Sequence, residues 1–192
     1  MAGTSLDSED LGLYYSAPIP VLAQHFSQKY GGIDAEKVIY LTRDAALNYY
    51  QNEVEVRTGV CELVQELHGQ GYLLAVASAS PQIYLEAGLK RVGLAHYFSH
   101  IVSSNDWEMH KSDAEFYRKI CKLMDVDCHH SWGIDDSAVA LKAMHAAGLS
   151  TIGIHDPLND SCTFSDLKAV ADIAIHDFSD LPDGHFSKQG QT

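Results

Sequence analysis

The chain has 192 residues, enough for one well-buried core or for a core with a small accessory lobe. Apolar residues make up 46% and charged residues 20%, an ordinary globular composition that excludes a disordered or low-complexity chain. A formal charge of −13 opposes a nucleic-acid or anionic-membrane partner, since both need a basic face. It leaves room for a phosphate ligand, because one Lys, a few amides and a metal ion can build a local positive pocket.

Residues 1–10 are acidic and polar, with no basic stretch leading into an apolar one, so no secretion signal is expected. No apolar run approaches the roughly 20 residues of a membrane span. Cys61, Cys121, Cys128 and Cys162 show neither a CxxC pair nor a disulfide-framework spacing, which suits a reducing, cytoplasmic location. Residues 8–55 predict an all-helical lobe. Its first part is interrupted by Pro18 and Pro20 and stops at Gly31-Gly32. Its second part, Asp34 to Gln51, has helical apolar spacing with Asp34 as N-cap.

From residue 57 the pattern changes to alternating helices and strands. Gly59 to His68 reads as an amphipathic helix ended by Gly69 and Gly71, and Tyr72 to Ala77 as a parallel strand buried on both faces. A helix from Pro81 to Val92 follows, then a strand from His100 to Ser103 and an amphipathic helix from Asp113 to Met124. Ser131 to Ile134 predicts a strand, Ser137 to Ala147 a helix closed by Gly148, and Thr151 to Ile154 a further strand. A helix near Ser165 to Val170 and a strand from Asp172 to Ile175 complete the series. Such alternation predicts an α/β, Rossmann-like fold with a doubly wound parallel sheet, whose ligand lies beyond the carboxyl ends of the strands.

Three signals fall at those ends. Ser78-Ala79-Ser80-Pro81 opens a helix, where backbone amides and a hydroxyl can receive an anion; the bland alternative is a Ser N-cap. Asp135-Asp136, in Gly133-Ile134-Asp135-Asp136-Ser137, places two carboxylates side by side at a strand end. They repel unless a cation sits between them, and hard, oxygen-liganded Mg²⁺ suits them; the bland alternative has Asp136 capping the next helix and Asp135 solvated. Lys111, in Met109-His110-Lys111-Ser112-Asp113, begins the helix after the second strand, and alone would pass as surface.

In combination, Ser78, then Lys111 after 33 residues, then Asp135 and Asp136 after 24 and 25 more, resemble the second, third and fourth motifs of the haloacid dehalogenase (HAD) superfamily. The strings LAVASAS and GIDDSAVALKAMHAAG are most similar to its beta-phosphoglucomutase-like phosphatase subgroup. The resemblance implies a phosphatase of a small phosphorylated metabolite such as a sugar phosphate, with residues 8–55 as a shortened helical cap and residues 1–7 and 56–192 as the core. It implies that Ser78, Ala79, Ser80 and Lys111 bind the phosphoryl group, that Ser78 and Lys111 act in catalysis, and that Asp135 and Asp136 hold Mg²⁺.

The family's first motif is a strand ending in Asp-x-Asp-Gly-Thr, which carries the nucleophile and the general acid/base. Here Gly3-Thr4, followed by Leu6-Asp7-Ser8-Glu9, is similar only to its tail. On that register the nucleophile would precede Met1, Ala2 occupies the acid/base position, and the N-terminal core strand is missing. The expectation is a truncated or degenerate member of a phosphatase lineage, with a non-catalytic phosphate-binding or scaffold protein as the alternative. Among lesser candidates, Cys121 with Cys128-His129-His130 matches no zinc spacing and reads as a loop before a buried strand. Tyr14-Tyr15 and Tyr49-Tyr50 read as packing within the helical lobe, with lining of the cap's substrate face as the alternative, and Asp156 reads as an edge residue. Substrate identity and oligomeric state are not written in the sequence.

Overall fold

A computed structural model describes residues 19–31, 34–181 and 186. The first-motif string Gly3–Glu9 and residues 8–18 of the helical lobe, Pro18 among them, lie outside the described residues, as does Gly32. The chain divides into two compact units, residues 1–53 and 54–192.

In the first unit α1 (Ile19–Tyr30) packs on α2 (Ala35–Asn52). Pro20 does not interrupt α1. It lies in the first turn, where a missing amide proton has no helical acceptor to lose. Gly31, at φ +60°, ends the helix. Asp34 caps α2 as the sequence predicts, accepting from the Glu36 amide at 3.0 Å. The packing role read for Tyr49 is corrected: α2 has no buried residue, and Tyr49 lies 49% exposed, its ring edge-on to Tyr50. Among the described residues of this unit, Leu22 and Ala23 of α1 are the buried ones.

The second unit is the α/β core. It runs α3 (Val60–Gly69), β1 (Ala75–Ser78), α4 (Gln82–Arg91), β2 (His100–Ser103), α5 (Ala114–Leu123), β3 (Trp132–Asp135), α6 (Ala138–Ala147), β4 (Ser150–Ile154), α7 (Phe164–Val170) and β5 (Ile173–Ile175). All pairing is parallel. β1 pairs with β2 from Ala75↔His100 to Ser78↔Ser103, and β4 pairs with β3 and β5, with Asp135↔Gly153 and Ile154↔Ile175 at the carboxyl ends.

Two features depart from the sequence reading. Among the described residues the strands form two sheets, β1–β2 and β3–β4–β5, with nothing paired between β1 and β3. The strand expected over 72–77 is only four residues long and half-buried throughout. The causes are linked. β2 covers β1 only from Ala75 onward, the other edge of β1 has no described strand, and Leu73 is left 59% exposed.

The core is built where helices cross the sheets. Phe116 of α5, Leu141 of α6, Ile152 of β4 and Leu167 of α7 are fully buried. One apolar cluster joins α5, α6 and α7 to the first sheet through Val102, Ala75 and Ala77 and to the second through Ala174. α6 lies directly on β3: a Cβ on Gly133 would come within 2.4 Å of the Met144 sulfur. The helix ends at Gly148, whose φ of +103° forms the left-handed cap that a side chain resists. None of the described helices is long and apolar enough to cross a membrane.

Because Leu141 has no exposed surface and is held between helix and sheet, Leu141→Ala should lower unfolding free energy by about 2–5 kcal/mol. Urea unfolding followed by circular dichroism measures this, and a loss under about 1 kcal/mol would show that α6 is not clamped as described.

Candidate active site

The carboxyl end of β1 delivers Ser78. Its carbonyl accepts from the Ser104 amide at 2.8 Å and its hydroxyl accepts from the Ser80 amide at 3.2 Å. Neither serine caps α4, whose N-cap is Pro81, so the bland reading of Ser78 fails. The Gln82 amide, first of α4, donates to the Asp106 carboxylate at 2.8 Å. Asp106 is held in turn by its own amide, which donates to the buried Ser103 hydroxyl at 3.1 Å. One of the helix's free donors is therefore already spent on a protein anion. Ser78 remains half-buried beside this turn and Ala79 is exposed.

Lys111 lies in the turn between β2 and α5, just before the Asp113 N-cap. Its ammonium forms an ion pair with Asp135 Oδ2. This contact brings the predicted third and fourth motifs together, and it connects a loop following one sheet to a strand of the other. The Asp135 side chain is only 7% exposed, and its second oxygen accepts from the Ser137 amide at 3.0 Å. Asp135 belongs to β3 itself, one residue further than the predicted strand end, which is why it is buried rather than solvated. Tyr117 of α5 donates its hydroxyl to the Lys111 carbonyl at 3.0 Å. Burial and then the Asp135 charge push that phenol well above its ordinary pKa, so it stays a neutral donor.

Asp136 does not cap α6. Ser137 does, and Asp136 Oδ2 instead accepts from the Asn159 side-chain amide at 2.8 Å. Its Oδ1 has no hydrogen-bond partner among the described residues. The two acids are thus unlike: Asp135 is committed to Lys111 and Ser137, while Asp136 keeps an oxygen available. A Mg²⁺ ion fits such a donor set, since it is held through one or two carboxylates and completes its shell with water and substrate oxygens. No group of three or more His, Cys, Asp or Glu able to hold a metal exists among the described residues. Protein donors alone would therefore leave much of the shell to other ligands.

Tyr117 and Asn159 contact the candidate residues Lys111 and Asp136, and sequence reading misses both. Tyr117 reads as one apolar position of an amphipathic helix, and Asn159 as part of a polar turn after β4. At the same edge Asp156 pairs with Arg57 at 3.9 Å, and Arg57 donates to the His155 carbonyl at 2.7 Å. Cys121 lies in the core cluster, its thiol pushed up to about 12 by burial and by the neighbouring Cys128. It stays protonated at neutral pH.

A sequence model of the haloacid dehalogenase-like hydrolase family matches residues 3–154. The pyrophosphatase PpaX of Bacillus mycoides is 27% identical over 139 residues, 71% of this chain and 65% of that protein, so this chain spans just under two thirds of its length. Among solved structures, CbbY of Rhodobacter sphaeroides, in complex with phosphate, aligns with a TM-score of 0.72 at 20% identity, covering 93% of this chain and 81% of that one. The beta-phosphoglucomutase of Clostridium difficile aligns with a TM-score of 0.70 at 14% identity, covering 95% and 81%. At these identities the solved structures share the fold.

The buried pair sets a stability test. Removing Lys111 leaves a carboxylate stranded in a low-dielectric site, whereas removing both charges does not. Lys111→Met and Asp135→Asn should therefore each destabilise, and the double variant should be less harmed than their sum by about 1–3 kcal/mol. Urea unfolding of the four proteins closes the cycle, and strict additivity would dissolve the pair.

Proposed function

The chain belongs to the haloacid dehalogenase-like hydrolase family, and on that premise we propose that it is a Mg²⁺-dependent phosphatase of a small phosphate ester such as a sugar phosphate. The observation carrying this reading is the meeting of Lys111 with Asp135 at the carboxyl end of β3, beside an Asp136 that retains a free oxygen. Ser78 would hydrogen-bond the phosphoryl oxygens. Lys111 would offset phosphoryl charge while remaining anchored by Asp135 and Tyr117. Asp136, oriented by Asn159, would hold the metal, with Asp135 contributing through the network behind it. The metal, when bound, supplies charge neutralisation of the phosphoryl oxygens. The task of these residues is positioning and electrostatic stabilisation, the main demands of phosphoryl transfer. The helical pair α1–α2 serves in this proposal as a cap that selects substrate, and the enzyme works in the cytoplasm. Pyrophosphate is a second substrate to assay, on the strength of the PpaX relative's name.

Ser78, Lys111, Asp135 and Asp136 bind and stabilise; none of them is the attacking group. The resemblance assigns attack to the first motif, where Gly3-Thr4 is preceded by Ala2 at the acid/base position. That substitution favours a second reading, a phosphate-binding protein without turnover.

Initial rates on p-nitrophenyl phosphate separate the two. The enzyme reading expects Mg²⁺-dependent hydrolysis that EDTA abolishes and that Asp136→Ala or Lys111→Ala lowers by roughly 100- to 1000-fold, the scale of losing one preorganised charge partner. No turnover, together with a rise in Tm on adding inorganic phosphate that Lys111→Ala removes, selects the binding protein. No turnover and no Tm shift would sink both.

A further inference from the structure

We propose that Cys121 and Cys128 form a thiol-oxidation site: a peroxide closes them to one disulfide within the folded α/β unit, and a thiol reductant reopens it. The inference is independent of the phosphatase reading. Both side chains are free thiols. Cys121 lies in the last turn of α5, is 5% exposed, and belongs to the apolar cluster of Phe116, Leu141 and Leu167. Cys128 is half-buried, packs against the same cluster, and opens a 3-10 turn (Cys128–His130) that leads into β3. The two side chains meet in a hydrogen bond, with Ser131 beside them. Cys162 shows the plainer use of a buried cysteine: it packs in the core as a small apolar residue and points its thiol at the Thr163 carbonyl, 4.0 Å away.

Seven residues of separation do not by themselves bring two side chains together; a fixed reversal of the chain does. α5 is followed by Asp125 in the left-handed region at φ +54°, a conformation that few non-glycine residues adopt. The Val126 amide donates back to the Cys121 carbonyl at 3.0 Å and the Asp125 amide to the Lys122 carbonyl at 3.2 Å, the two closing bonds of a Schellman motif. Beyond it the Asp127 carboxylate accepts from the His129 amide at 2.9 Å, and the Asp127 carbonyl accepts from the Ser131 hydroxyl at 2.8 Å. The reversal is therefore held by backbone and side-chain hydrogen bonds before any covalent bond forms. The pair also sits at the end of the α5–β3 connection opposite to Lys111 and Asp135, which fasten the carboxyl edge. A disulfide here would fasten the amino edge and leave the Lys111 ion pair in place.

The two sulfurs differ in the way a stepwise oxidation requires. Burial keeps the Cys121 thiol protonated, and such a thiol is inert towards reagents in water. Cys128 reaches the surface and meets the oxidant first. Its sulfur attacks one oxygen of hydrogen peroxide, the O–O bond breaks, and a sulfenic acid and one water result. The Cys121 sulfur then displaces the hydroxyl of that acid, the S–S bond forms, and the thiol proton leaves with the hydroxyl as a second water. Two thiols lose two electrons, and the peroxide gains them. Disulfides that form in reducing compartments are usually transient and redox-sensing, and the reductant that reopens this one is a small thiol such as glutathione.

The test uses the full reduced chain, treated with hydrogen peroxide, then blocked with iodoacetamide in urea and digested with trypsin. Cleavage after Lys119, Lys122 and Lys142 places the two sulfurs on separate peptides, residues 120–122 and 123–142. The expected mass is that of the two peptides joined and lighter by two hydrogens, with Cys61 and Cys162 still alkylated; dithiothreitol separates the pair. The oxidised chain should show a higher Tm, because the cross-link constrains the unfolded chain. In Cys128→Ser the remaining Cys121 should be oxidised at least about tenfold more slowly than the pair. In Cys121→Ala, Cys128 should pass on to a sulfinic acid that dithiothreitol does not reverse; should that variant not fold, Cys128→Ser and the cross-linked mass still decide. Any of four results would overturn the proposal: Cys121 alkylated after peroxide treatment, a cross-link to Cys61 or Cys162, sulfinic acid at Cys128 of the unaltered chain, or a Tm lowered by the cross-link.

Discussion

A buried ion pair organises this molecule. The Asp135 carboxylate is almost wholly removed from water, and a charge in that position is sustained only when its hydrogen-bonding capacity is filled. Lys111 and the Ser137 amide fill it. Lys111 can do so only because its backbone is fixed, by Tyr117 on the helix that follows and by the Asp113 cap at the start of that helix. The pair therefore ties a turn after β2, a helix of the core and the last residue of β3 into one arrangement. Without it the described strands form two sheets joined by helix packing alone.

This constraint explains why adjacent, identical residue types serve differently. Asp135 is a strand residue whose oxygens are both occupied, and Asp136 is a turn residue restrained at one oxygen by Asn159. A one-residue difference in where the strand stops decides which acid is buried. It also decides the helix cap, because once Asp135 lies in the strand, Ser137 is left in position to receive the Ala140 amide.

Most of the element order was legible in the sequence because it is written in local chemistry. Asp34, Asp113 and Gly148 mark helix boundaries by capping, and the apolar runs mark strands with little dependence on distant residues. Ser78, Lys111 and Asp135 could be grouped because a parallel α/β sheet gathers strand ends at one edge. What was not legible depends on tertiary contact. Tyr117 and Asn159 acquire their roles only from partners 6 and 23 residues away. Tyr49 carries an aromatic ring that periodicity assigns to packing, but the described α1–α2 pair does not enclose it. The pairing of β1 is non-local as well: it has the sequence of an inner strand, and among the described residues only β2 pairs with it.

Local charge closes the argument about the site. Lys111 is offset by Asp135, Arg57 lies beside Asp156, and the first amide of α4 is taken by Asp106. The edge that a phosphate would approach is therefore close to neutral in its paired groups, with Asp136 adding a negative charge of its own. A dianionic ester would meet repulsion there, within a chain of formal charge −13. A divalent cation on the free oxygen of Asp136 would reverse the sign of that spot, since a bound ion is the largest local charge in such a site. The same acids that would repel phosphate without a metal are then the reason it could bind with one, and the Mg²⁺ dependence proposed for this site would follow from the pairing of Lys111 rather than from the number of carboxylates.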